Sequence, residues 1–344
     1  ITAYNTEEAR IGMKEYAEKT NSEMWVYTCG MPYNPYPTYH IDDYLLSSRL
    51  MSWMMYEYDI TGCLYWNVTL GRHTSQLTES AQLLTQDYYQ NPLRDNSANG
   101  DGFLVYPGRQ YGIYGPVGSI RLESIRDGSE DYELMWALEN LYKQKGVSEE
   151  EFSSIFPFIA SGLYTGTICS YGVDYLDNFD AARDRLAELL TLAANEGIVV
   201  KGYSQSKGFG KFEFLTNAGT TLKANGKEVS GVSADGGTSY EVSADLTGEA
   251  LNIEFISNSK KYTLVYRLPK AKVYGDDEIK DFVSVAAGEK IEIDGTQYNS
   301  YPLENVAEKN YAQIDVKVEE FNFTNQCEKM SLRVYYGGDD GGVL

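Results

Sequence analysis

The chain has 344 residues, and 50 acidic against 29 basic side chains give it a formal net charge of −21. A field that negative repels phosphate backbones and argues against nucleic-acid binding. Hydrophobic residues at 42% are enough for real cores, and no apolar run approaches the roughly 18 residues of a membrane span.

At roughly 150 residues per domain, the length suggests two domains or three. The chain opens at Ile1 with no basic-then-apolar leader, as expected of a mature or trimmed piece. Cys29, Cys63, Cys169 and Cys327 lie far apart, which argues against a zinc site or a disulfide scaffold. His40 and His73 are too few for a histidine-rich metal centre, so no metal or cofactor is expected. The unusual number is 30 tyrosines. A flat apolar face with a hydroxyl suits sheet cores and carbohydrate surfaces alike.

In chain order, Thr6 caps a helix to Lys19, and Met24–Cys29 reads as a buried strand ended by Gly30 and Pro32. A Pro- and Tyr-rich loop follows, and Asp42 or Asp43 is placed to cap a helix to Tyr58. The stripe of that helix is Leu46, Leu50, Trp53 and Met54. Gly62–Trp66 is a second strand, followed by a long polar stretch from Gly71 to Asn99. Gly102–Tyr106 is a third strand, closed by Pro107-Gly108. One helix is expected around 119–126 and another from Asp127 to Lys145, where Asp127 and Glu130 have capping-box spacing. Asp180–Asn195 is amphipathic and ends at Gly197. The order strand, loop, helix, with strands apolar throughout, predicts parallel strands covered on both faces.

From about residue 198 the texture changes to strand after strand. Candidates are 198–203, 211–215, 239–242, 251–256 and 261–268, then 282–285, 290–293, 314–318 and 332–336. Asn225-Gly226 and Asp235-Gly236 are hairpin signals. The glycine-rich tail from Gly337 to Gly342 reads as flexible.

Five blocks in the first half carry a resemblance. They are Trp25-Val26-Tyr27-Thr28-Cys29 with Pro32; Ile41-Asp42 with Arg49 and Trp53; Gly62-Cys63-Leu64-Tyr65-Trp66; Gly100 through Gly108; and Ser119-Ile120-Arg121-Leu122-Glu123 through Glu133. Their order and spacing resemble the C-terminal part of the catalytic domain of glycoside hydrolase family 123. The resemblance implies the C-terminal portion of a (β/α)8 barrel, taken over 1–197. The strand spacing of the second half adds an antiparallel β-sandwich over 198–270 and, over 271–344, a second β-rich domain or a continuation of that sandwich, which makes the chain α/β plus all-β. The resemblance also implies action on β-linked N-acetylhexosaminides such as N-acetylgalactosaminides. In that substrate-assisted retaining mechanism, the 2-acetamido oxygen attacks the anomeric carbon. An adjacent Asp-Glu pair serves it, with Asp orienting the acetamido group and Glu protonating the leaving oxygen.

That pair is expected upstream of Ile1, so the chain alone is expected to be inactive. The adjacent acids Glu7-Glu8, Asp42-Asp43, Glu130-Asp131 and Asp339-Asp340 do not sit at the ends of the expected strands, and Glu130-Asp131 is read as opening a helix.

In a barrel the strand C-terminal ends and their loops form the active face. The substrate-binding candidates are therefore Tyr27, Tyr33, Trp66, Asn67, Asp101 and Tyr106. Trp66 is either a pyranose platform or a core residue. Asn67 is a hydrogen-bond donor to the sugar, a turn residue or a glycan acceptor. Asp101 either accepts vicinal hydroxyls or makes an Asx turn. Tyr106 lines the pocket or packs in the sheet, and Tyr33, with Tyr36 and Tyr39, forms a rim or stiffens its loop. Arg49 reaches the active face or pairs with Asp42 or Glu57. Cys29 and Cys63 read as buried thiols. The expected partner is a glycan, with association with the upstream half or other chains, in a bacterial extracellular or cell-surface setting. The alternative is a non-catalytic carbohydrate-binding, cell-surface or assembly protein, pairing through exposed sheet edges.

Overall fold

A computed structural model describes residues 1–69, 93–94, 98–170, 175–206, 209–246, 250–268, 290–293 and 296–299. After a short 3-10 turn, Thr2–Tyr4, comes α1 (Glu7–Thr20). Its expected cap is present, with the Thr6 hydroxyl accepting from Ala9 N at 3.2 Å. Then β1 (Trp25–Thr28), α2 (Leu46–Glu57) and β2 (Gly62–Tyr65) form a strand–helix–strand unit. β1 and β2 pair in parallel, Trp25 against Gly62 through Thr28 against Tyr65.

Three expectations fail around this unit. α2 has Leu45 at its N-cap position, with no side-chain cap. Asp42 instead accepts from Asn99 and Asp43 from Thr38, so both carboxylates hold loops. The strands are not covered on both faces. Val26 and Thr28 are buried, whereas Trp25, Tyr27 and Leu64 are 54%, 46% and 51% exposed. Among the described residues this sheet has two strands, with one face packed on helices and the other exposed. Lastly, the run at 102–106 is not a third parallel strand. The short β3 (Leu93–Arg94) and β4 (Ala98–Asn99) pair with each other, and β5 (Val105–Pro107) pairs antiparallel with β6 (Pro116–Gly118). Phe103 bridges Thr69, also antiparallel.

α3 (Ile120–Gln144) is one continuous helix capped by Ser119, not two broken at Asp127. Asp127 and Glu130 pair with Arg126 on the helix surface instead of capping it. Gly128 is buried mid-helix, where a Cβ would lie 2.8 Å from Ser52 Oγ and 3.0 Å from the Arg49 carbonyl oxygen. With no Cβ at this position, α2 can approach α3 closely. Asp131, expected to open a helix, sits in the middle of α3 and is fully buried. Arg49 pairs with it in bidentate fashion, Nε at 2.7 Å and Nη2 at 3.0 Å, rather than with Asp42 or Glu57. Trp53 Nε1 donates at 2.9 Å and Arg183 Nε lies at 2.9 Å. One carboxylate thus joins α2, α3 and the helix that carries Arg183.

Then follow α4 (Glu149–Ile159), the β7–β8 hairpin (Tyr164–Thr165 and Ile168–Cys169) and α5 (Tyr175–Glu196). α5 ends at Gly197, at φ 60°, with Gly197 N donating to Ala193 O and Ile198 N to Leu192 O. The remaining described strands are β9 (Val199–Ser206), β10 (Phe209–Thr216), β11 (Thr221–Ala224), β12 (Lys227–Val229), β13 (Val232–Ala234), β14 (Gly237–Asp245), β15 (Leu251–Ser257), β16 (Lys260–Tyr266), β17 (Lys290–Ile293) and β18 (Thr296–Asn299). They build two four-stranded sheets, ordered β13-β14-β10-β9 and β12-β11-β15-β16, with antiparallel neighbours, and a β17–β18 hairpin. Both hairpin signals turn where expected. Asn225 and Gly226 take φ 47° and 77°, the left-handed pair a two-residue turn requires. The expected strands at 282–285, 314–318 and 332–336 lie outside the described residues.

One hydrophobic cluster runs from the helices into both sheets. Phe214 meets Phe255 across the sheets at 5.3 Å, and Phe158 of α4 packs on Phe212 and Tyr266. The buried Arg185 guanidinium sits over Phe158 and Tyr266 and donates to the Ile159 carbonyl. Tyr142, at the end of α3, accepts from Val200 N at 3.2 Å. Among the described residues no helix is long and apolar enough to cross a membrane.

The packing at Gly128 sets an expectation of sign. Gly to Ala inside an ordinary helix gains about 1 kcal/mol. Here Gly128→Ala destabilises by about 1–3 kcal/mol, because the methyl forces α2 away. Equilibrium denaturation with urea measures the difference.

Candidate functional site

The C-terminal ends of β1 and β2 open towards the segment from Ala98 to Gly108. Val68 O accepts from both Leu104 N and Val105 N, at 3.0 and 2.8 Å, which lays the chain after β2 beside that segment. Trp66 follows β2 directly. Its indole Nε1 donates to Asp101 Oδ1 at 2.8 Å, and the Tyr65 hydroxyl donates to the same oxygen at 3.0 Å. Tyr65 Oη in turn accepts from Gly102 N. Burial beside Asp101 raises the Tyr65 phenol well above its ordinary value, so it stays a neutral donor. Trp66 is half-buried, so part of its ring reaches the surface while the carboxylate fixes its edge.

Asp101 is only 2% exposed. In this structure its carboxylate orients Trp66 and Tyr65 rather than opening to vicinal hydroxyls. Gly100, at φ 77°, brings the backbone close against Ile41 and Arg121, where a Cβ would come within 2.5 and 2.7 Å. Buried Arg121 stitches the segment together. It donates to the carbonyls of Tyr39, Gly100 and Phe103 and, at 3.1 Å, to the Tyr106 hydroxyl.

The other candidates fall as follows. Tyr106 is buried, stacked on Phe103 at 6.3 Å, and lines a cavity of about 630 Å³ with Thr69, Phe103, Pro107, Ile113 and Tyr114. Asn67 Oδ1 accepts from Thr69 N at 2.9 Å, which is turn geometry. Tyr27 lies on the exposed face of β1, in register with Leu64. Tyr33 is exposed, 6.1 Å from the ring of buried His40. Tyr36 is partly buried, and Tyr39 is buried against Tyr65 at 5.1 Å. His40 Nε2 contacts Cys29 O at 2.7 Å, and Nδ1 lies 3.6 Å from Asp43. Cys29 and Cys63 are free thiols, both partly buried. Burial raises the Cys63 thiol, although a hydrogen bond with Tyr39 opposes this.

Trp66, Asp101 and Tyr106 are therefore drawn into one wall, with Tyr65 and Arg121 as members that sequence reasoning did not single out as site residues. Tyr27 and Tyr33 stand apart from it. Arg121 lies within a block already quoted, but a lone arginine gives no sign that four acceptors will surround it. Among the described residues no cluster of His, Cys, Asp and Glu is arranged to hold a metal ion.

Residues 2–138 match the family model described as glycoside hydrolase 123, catalytic domain. Over that stretch the chain is similar to the glycoside hydrolase 123 catalytic domain, and the match points to glycoside hydrolase activity with a carbohydrate substrate. No curated protein matches the chain.

Removing the carboxylate tests the wall. Asp101→Ala leaves the Trp66 and Tyr65 donors unmatched at about 1–3 kcal/mol each. The expected result is a loss of stability on denaturation and a change in near-ultraviolet circular dichroism as the indole loosens.

Proposed function

We propose that this chain contributes the C-terminal part of a glycoside hydrolase acting on β-linked N-acetylhexosaminides, N-acetylgalactosaminides first among them. The carrying observation is Trp66, held by Asp101 at the end of a parallel strand within the matched segment. The apolar C–H face of a pyranose stacks on an indole, and an indole pinned by its N–H loses little freedom on binding. In this reading Trp66 is the platform, Asp101 and Arg121 are positioning residues, and Tyr106 edges the adjoining cavity. Tyr27, Tyr33 and Asn67 are proposed as outlying contacts to a longer glycan.

The chemistry is proposed to be substrate-assisted and retaining. The acetamido oxygen forms a bond to the anomeric carbon as the glycosidic bond breaks, and a carboxylic acid delivers its proton to the leaving oxygen. Water then opens the cyclic intermediate. Of the adjacent acids named above, those among the described residues are otherwise engaged or placed. Glu7 and Glu8 lie in the first turn of α1, Asp42 and Asp43 hold loops, and Glu130 and Asp131 pair with arginines. We therefore assign the catalytic pair to residues outside those described. β1 and β2 are read as two strands of the (β/α)8 barrel, and the two four-stranded sheets as an accessory sandwich. A bacterial extracellular or cell-surface setting goes with this reading.

The engaged acids also favour a second reading, in which the chain serves a protein that binds carbohydrate without cleaving it. Assay of the full-length gene product on a chromogenic β-N-acetylgalactosaminide separates the two. Hydrolysis is expected, with Trp66→Ala lowering kcat/KM roughly ten- to hundred-fold. Glycan-array binding with no turnover of any β-hexosaminide would leave the second reading standing and the first refuted.

A further inference from the structure

The cavity that Tyr106 edges holds about 630 Å³, within the range of small-molecule sites. The two segments that enclose it are the ones that hold the platform. Thr69 follows Trp66 in one, and Phe103 follows Asp101 in the other. They meet through the Thr69–Phe103 bridge and the Val68 carbonyl, which accepts from Leu104 N and Val105 N. The cavity therefore continues the wall rather than standing apart from it.

Its chemistry differs from that of the wall. Among the described side chains that line it none is charged, and only Thr69, Tyr106 and Tyr114 carry hydroxyls. The Tyr106 hydroxyl already accepts from Arg121 at 3.1 Å. The backbone of the lining hairpin is also engaged. Gly108 N donates to Gly115 O at 3.1 Å and Ile113 N to Gly108 O at 3.0 Å. Pro107 and Pro116, which face each other in the β5–β6 pairing, have no N–H to offer. Phe103 and Tyr106 stack with their planes 21° apart and supply a flat aromatic side. Ile113 is half exposed and Tyr114 wholly exposed, and apolar surface left in water beside a cavity marks a binding site.

A sugar in this space would bury several hydroxyls against few partners, and each unmatched hydroxyl costs affinity. An apolar ring meets no such penalty and gains by leaving water. We propose that the cavity receives the group on the leaving side of the scissile bond, and that this group is an apolar ring rather than a second sugar. The assignment rests on the reading of Trp66 as the sugar platform and narrows it. The substrate is an N-acetylhexosaminide of an apolar aglycone, with Phe103, Tyr106 and Ile113 setting the preference. On cleavage the aglycone oxygen takes the proton of the catalytic acid and departs as a phenol or alcohol.

The test is a ligand-observed NMR titration of the full-length gene product with S-linked glycosides, which resist cleavage and so read binding alone. All carry β-N-acetylgalactosamine, and the aglycone is methyl, 2-naphthyl or galactose. The naphthyl compound is expected to bind about ten-fold more tightly than the methyl one, and the galactose compound no more tightly than the methyl one. Ile113→Asp places a charge against the ring on an exposed turn and is expected to erase the naphthyl advantage, whereas Ile113→Leu keeps it. Trp66→Ala is expected to weaken all three compounds in like proportion. Equal affinity for the methyl and naphthyl compounds, a galactose compound that matches the naphthyl one, or a naphthyl advantage that survives Ile113→Asp would each overturn the proposal and leave the platform standing. Free 2-naphthol exposes a failure of the platform itself. If it binds as tightly as its glycoside, the sugar contributes nothing, and the platform and the aglycone assignment fall together. No binding by any of these compounds sinks both as well.

Discussion

Asp131 is the constraint on which the rest of the helical layer hangs. It is fully buried and takes donors from Arg49 and Trp53 on α2 and from Arg183 on α5. A carboxylate removed from water without partners is intolerable, whereas one with two guanidinium groups and an indole is well compensated. Because Arg49 and Trp53 share α2, the carboxylate fixes the rotation of that helix as well as its distance. α2 in turn connects the two parallel strands, so the platform at the end of β2 inherits its position from this cluster.

α3 carries the same order in both directions. Near its start, Arg121 gathers three carbonyls and the Tyr106 hydroxyl, and so sets the chain from Gly100 to Tyr106 beside Trp66. Near its end, the Tyr142 hydroxyl meets the first strand of the sheets. The wall of Trp66, Asp101 and Tyr106 and the β-rich half are thereby both tied to α3. Arg185 adds a second tie, its charge spread over Phe158 and Tyr266 where helices and sheets join.

What the sequence made legible was local. The Thr6 cap, the stripe of α2 and the Asn225-Gly226 hairpin each follow from neighbouring residues, and each forms as expected. Reading failed where a distant partner overrode a local signal. Glu130-Asp131 looks like the opening of a helix until Arg49, Trp53 and Arg183 enclose Asp131. Asp42 and Asp43 look like caps until Asn99 and Thr38 draw them away. Gly102–Tyr106 looks like the next parallel strand until β5 meets its antiparallel neighbour at Pro116–Gly118. α4 went unread although Ser148 and Glu151 form a complete capping box, a signal present in the sequence. The hold of Asp101 on Trp66 spans 35 residues and has no local trace. Trp66 could be marked as a candidate from its place at a strand end, but the group that orients it could not.

The three-helix convergence on Asp131 also bears on how the chain acquires its structure. A partly assembled layer that buried this acid with only one of its helical partners would enclose a poorly compensated charge, so such a species is disfavoured. α2, α3 and α5 are therefore bound to consolidate together although Arg49 and Arg183 lie far apart along the chain.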